Sequence, residues 1–210
     1  MAASGVVFVA FVLVHMYGNL KAFSGHAAYN EYAEHLRSIG EPELPREGML
    51  WAIRVVLIGS LVVHVTCALV LWRRAGKART TRYVVKRNLS STFSSRMMRW
   101  GGLAVLLFLI WHLINFTIGK VNVSGGSTDD PYDLLVDTFQ VWWLTVIYLL
   151  AMIALGMHLR HGVWSAAQTL GLTNNAKARR NANALGVLFA VVIAGGFSLV
   201  PICILFGVIS

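Results

Sequence analysis

The sequence predicts an all-α integral membrane bundle of five transmembrane helices, and three observations predict it. Hydrophobic residues make up 57% of the chain against 13% charged, with a mean hydropathy of +0.64, outside the range of ordinary soluble domains. Five apolar stretches have the length of about 20 residues that a helix needs to cross the hydrocarbon core. The basic residues gather mostly in two segments between those stretches. A single membrane domain over residues 1–210 follows, with helices near 3–23, 47–72, 97–118, 138–168 and 184–209.

The first helix, Ala3 to Phe23, carries His15. No small-residue cleavage site follows it, so it reads as a retained helix and not as a signal peptide. In AYNEYAEHLRS the residues Ala28, Tyr29, Tyr32, Ala33 and Leu36 fall at helical spacing, which suits a short helix lying at the interface. Pro42 and Pro45 then break the chain. The second span begins near Glu47 and ends at Trp72, with Arg54 early and His64 later. From Arg73 to Arg99 there are nine Lys or Arg and no Asp or Glu. The third span, Met97 to Ile118, holds His112, and a loop rich in Gly, Ser and Asp (KVNVSGGSTDDPYD) follows. The fourth starts around Leu134 or Thr138 and runs through His158 toward Gln168; Gly171 to Asn183 is polar and basic. The fifth, Ala184 to Ile209, has neither charge nor histidine and reads as a packing helix.

Charge fixes an expected topology. The segments after the second and fourth helices are basic, whereas those after the first and third carry Glu31, Glu34, Glu41, Glu43, Glu47, Asp129, Asp130, Asp133 and Asp137. Short translocated loops avoid Lys and Arg, which places the N-terminus in the cytoplasm and the C-terminus outside. The same reading accounts for the net charge of +9 without a nucleic-acid partner. Cys67 and Cys203 stand far apart in apolar runs, so neither a disulfide framework nor a zinc site is expected.

Each of the first four helices contains a histidine within its apolar region: His15, His64, His112 and His158. One intramembrane histidine is readily a core residue bonded to a neighbour. Four on successive helices point to function. At a rise of about 1.5 Å per residue, His15 lies about 17 Å from the inner end of its helix and His112 about 20 Å from Arg99, both in the outer half. His64 lies about 14 Å from Arg73, and His158 is near the inner end of its helix. Two pairs at two depths result. Paired neutral imidazoles suit bis-histidine ligation of haem iron, and two haems in a four-helix bundle would carry electrons across the membrane. Zinc would draw its ligands to one depth, and a proton relay would normally include intramembrane Asp or Glu. His161 competes with His158, since positions three apart share a helix face. Gly18 and Gly162 suit a flat macrocycle and equally suit close helix packing.

The strings FVLVHMYGNLKAFSG, AIRVVLIGSLVVH, SSRMMRWGG, LIWHLINF and HLRHGVWSAAQTLG, in this order, resemble the single-polypeptide, five-helix, dihaem cytochrome b subunit of succinate dehydrogenase and fumarate reductase. The resemblance implies His64 and His158 as ligands of the inner haem b, His15 and His112 as those of the outer one, and His158 in preference to His161. One departure is that relatives commonly carry a cytoplasmic lead segment, whereas this chain starts almost inside the membrane. The implied partners are a flavoprotein subunit that oxidises succinate, an iron–sulfur subunit that relays its electrons, the lipid bilayer, and a quinone as substrate, menaquinone by resemblance. The implied location is the cytoplasmic membrane of a bacterium. This chain has no flavin motif or cysteine cluster, so alone it does not oxidise succinate.

Candidate quinone or propionate contacts are Tyr17, Asn19, Lys21, Arg54 and Asn115 on the outer side, and Arg96, Trp164 and Ser165 on the inner side. The basic segment after the second helix suits docking of the iron–sulfur subunit, and anionic lipid explains it comparably. Two other readings remain open: a haem-free structural anchor of the same complex, and the dihaem cytochrome b subunit of another membrane dehydrogenase. HGVWSAAQTLG weighs against the latter.

Overall fold

A computed structural model describes residues 1–78, 93–118, 120–124 and 129–210, without the side chains of residues 94–96. Most of the described residues are helical, with no strand among them. In chain order the helices are α1 (Ala2–Leu20), α2 (His26–Ser38), α3 (Gly48–Lys77), α4 (Phe93–Leu113), α5 (Pro131–Gln140), α6 (Trp142–Thr169) and α7 (Ala176–Leu205). A 3-10 turn, Lys21–Ser24, extends α1, and a π-turn, Ile114–Ile118, extends α4. With those extensions, five helices are long and apolar enough to cross a membrane: α1, α3, α4, α6 and α7.

The boundaries differ from expectation at three places, each for a local reason. Residues 131–140 form a separate helix, α5, so the fourth span begins at Trp142. Asp130 caps α5 by accepting from the backbone N–H groups of Tyr132 and Asp133, and Pro131 occupies the first turn, where its missing donor costs nothing. Val141 then adopts an extended backbone, and the Thr145 hydroxyl closes the corner by donating to the Phe139 carbonyl at 2.8 Å. The fifth span starts earlier, at Ala176, because Asn175 caps it through its side-chain oxygen and the Ala178 N–H. It ends at Leu205, where Gly207 turns the chain at φ 71°. The second span runs on past Trp72 to Lys77, its basic last turn exposed.

Within the membrane domain α6 is the hub, packed against α7, α4 and α1. Its approach to α7 depends on missing side chains: a Cβ on Gly186 would stand 2.6 Å from the Arg160 carbonyl oxygen, and one on Gly156 would stand 3.3 Å from the Ala194 methyl. Such small-residue seams let helices pack in lipid, where no hydrophobic force drives them together. Gly196 of α7 likewise makes room for Met16 of α1. By contrast α3 leans on α1 and α2, and none of its residues is buried. The buried cluster sits under α5, where Tyr132, Leu135, Val136 and Phe139 meet Ala22, Tyr148, Val200 and Ile204.

Candidate functional site

The helices bring the four intramembrane histidines together as two pairs. His15 of α1 and His112 of α4 have ring centres 5.8 Å apart at 78°, at the level nearer α5. His64 of α3 and His158 of α6 have ring centres 6.2 Å apart at 53°. The ring that meets His64 is that of His158; His161 lies against Trp164 at 6.0 Å instead.

Aromatic side chains enclose the first pair. Phe11, one turn before His15, stacks on it at 5.4 Å and 10°, and Phe197 from α7 approaches it at 5.5 Å. Phe108, Phe116 and Tyr148 surround His112. At the second pair Phe8 meets His64 edge-on at 5.8 Å. The Ser4 hydroxyl lies 3.2 Å from His64 Nδ1. A Cβ on Gly102 would stand 3.4 Å from His158 Cε1, so the glycine leaves that ring its space.

This donor set fits a metal held between two imidazoles. Nitrogen–metal bonds of about 2 Å on opposite sides put the ring centres about 6 Å apart, close to both separations. All four histidines retain partial exposure, so neither pair is sealed by protein alone. His112 Nδ1 and His158 Nδ1 are buried and have no hydrogen-bond partner among the described residues.

Residues 73–197, more than half of the chain, match the family described as Succinate dehydrogenase/Fumarate reductase transmembrane subunit. The chain belongs to this family. No curated protein and no solved structure matches it. The matched region of this succinate dehydrogenase/fumarate reductase transmembrane subunit contains His112 and His158, while His15 and His64 precede it.

In the subunit the polar candidates do not form one cluster among the described residues. Lys21 lies over the Tyr17 ring at 5.2 Å, and Tyr17 meets Tyr32 of α2, at the α1–α2 corner. The Asn19 amide donates to the His15 carbonyl of its own helix at 2.9 Å. Arg54 stacks over Trp51 at 4.8 Å. Trp164 pairs with His161, and the Ser165 carbonyl accepts from the Thr169 hydroxyl. The side chain of Arg96 and residues 79–92 of the basic segment lie outside the described residues.

Asn115 is fully buried, and its amide is engaged: it accepts from Tyr148 Oη at 2.7 Å and donates to the Val121 carbonyl at 2.9 Å and toward Thr138 Oγ1 at 3.4 Å. A quinone would have to displace those bonds to reach it. Gly18 faces the Tyr32 ring, a helix-packing role, and Gly162 faces open space. Sequence reasoning missed Ser4, Gly102 and the aromatic residues Phe8, Phe11, Phe108, Phe116, Tyr148 and Phe197; of these, Phe11, Phe108 and Phe116, each four residues from a histidine of its own helix, carry a signal in the sequence.

Proposed function

We propose that this subunit passes electrons from an iron–sulfur subunit to a quinone in the lipid through two b haems, His64 and His158 binding the inner one and His15 and His112 the outer. The observation that carries this reading is the pairing of four intramembrane histidines from four helices, two by two, at separations of 5.8 and 6.2 Å. Bound between two neutral imidazoles, haem supplies one-electron redox chemistry. The protein's part is to hold each imidazole neutral and facing its partner, and around His15 and His112 to exclude water with Phe11, Phe108, Phe116, Tyr148 and Phe197. Family membership implies association with the other subunits of succinate dehydrogenase or fumarate reductase. A flavoprotein partner would carry out succinate chemistry, and menaquinone is the quinone that the resemblance suggests.

The proposed setting is a bacterial cytoplasmic membrane, with the N-terminus and the basic segments inside and the C-terminus outside. The test of function is a dithionite-reduced minus oxidised spectrum of the purified complex, with haem quantified per copy of this chain. Two b haems per chain are expected; none would leave a haem-free anchor. Orientation is tested separately by labelling single cysteines in intact cells with a membrane-impermeant reagent. Ser124→Cys should react and Asn174→Cys should not, and the reverse pattern would invert the topology.

A further inference from the structure

Ser4 is a buried hydroxyl, 7% exposed, on the first turn of α1. Its Oγ has two neighbours: the Met1 carbonyl oxygen at 2.9 Å and Nδ1 of His64, sixty residues away, at 3.2 Å. A hydroxyl carries one hydrogen, and a carbonyl can only accept. With that hydrogen given to the shorter contact, the Met1 carbonyl that also accepts from the Gly5 N–H at 2.9 Å, a lone pair of Oγ faces the imidazole. For that contact to be a hydrogen bond, His64 must donate from Nδ1, which leaves the lone pair of the neutral ring on Nε2.

We propose that Ser4 is a positioning residue that fixes the Nδ1–H tautomer of His64 and so presents Nε2 as its metal-binding nitrogen. The proposal rests on the haem-ligand reading given above. Phe8 meets the same ring edge-on, so the ring is held both in orientation and in tautomer. The opposite member of the pair has no such support among the described residues, where His158 Nδ1 is buried without a partner. The two sides of the inner pair are thus inequivalent. An acceptor on the outer nitrogen of a ligating imidazole raises the basicity of the metal-binding nitrogen, which favours the oxidised metal. Ser4 accordingly lowers the potential of the inner haem and leaves the outer one untouched.

The test is a redox titration of both haems in the intact complex carrying Ser4→Val, Ser4→Thr or Ser4→Ala. Valine and threonine match in shape and differ in the hydroxyl. The expected result is an upward shift of the inner haem potential, or selective loss of that haem, in Ser4→Val and Ser4→Ala, with wild-type values in Ser4→Thr. An unmoved inner potential in Ser4→Val, an equal shift of both haems, or the same change in Ser4→Val and Ser4→Thr would overturn the proposal. If Ser4→Ala does not assemble, the valine and threonine pair still decides. Absence of haem from the wild-type complex is a different result, and it would defeat the electron-transfer reading itself.

Discussion

Asn115 holds three elements together with one amide: the π-turn after His112, the start of the following loop at Val121, and Tyr148 of α6. Interhelical hydrogen bonds in membranes are individually small, about 0.6 kcal/mol on average. Tyr148→Phe loses one such bond and leaves the buried Asn115 Oδ1 without its donor, and should cost about 1–2 kcal/mol. Asn115→Leu should cost more, about 2–3 kcal/mol, because it also strands the Tyr148 hydroxyl and the Val121 carbonyl. Thermal unfolding of the two variants in detergent should rank them in that order. Under the proposed ligation, His64→Ala should remove the inner haem preferentially, and His161→Ala should leave both, as read from the reduced-minus-oxidised spectrum. At this scale the sequence exposes the histidines because ionisable residues stand out in apolar runs. It hides Ser4 and Gly102, whose relation to His64 and His158 depends on how α1 and α4 are rotated about their axes, and a single sequence does not encode that rotation in any periodic signal.

Gly186 illustrates the scale of the element. A side chain there would press into backbone, the Arg160 carbonyl oxygen, which cannot swing aside as a flexible side chain can. Gly186→Leu should separate α6 from α7 and lower the unfolding temperature sharply, whereas Gly195→Ala, with open space around it, should leave that temperature near wild type. The junction of α2 and α5 makes a second case. Partial burial alone would raise the Asp130 carboxyl, but hydrogen bonds from Asn30 and from the N–H groups of Asp133 and Tyr132, with His26 alongside, hold it below its ordinary value of 3.8. A depressed carboxyl stabilises the fold above its unfolded value and ceases to do so as pH falls through its folded one. Docking of α2 on α5 should accordingly hold down to about pH 4 and loosen below it. Amide exchange across 26–38 measures this, and Asp130→Asn should flatten that dependence. The Asp130–Pro131 pair is a start signal that the sequence carries in plain form. It is submerged because α5 and α6 together read as one apolar run, and the extended Val141 between them has no residue signature.

For the molecule as a whole, the five spans were legible because length and hydropathy are one-dimensional properties, and transfer from water to lipid depends on little else. Helix-to-helix attachment was not legible. The tight unit is α6 with α7, α4 and α1, and α3 stands at its edge. If the inner haem bridges His64 and His158, it ties α3 to α6 in addition to binding electrons. Complex produced under haem limitation should therefore show faster amide exchange across residues 48–77, with 142–169 and 176–205 little changed. Unchanged exchange across 48–77 would show that α3 is held by protein contacts alone, and an equal rise over all of these segments would show that haem stabilises the bundle as a whole.

That thirty-residue helix without a buried side chain has a consequence for assembly. A porphyrin is a rigid plate, broader than any gap that side-chain motion opens in a packed bundle, and it cannot be threaded lengthwise between helices already in contact. A bundle with one weakly fastened wall needs no threading. Were a haem bound between His64 and His158 as proposed, it would be able to enter from the side through the lipid, and α3 would be fastened by the cargo it encloses.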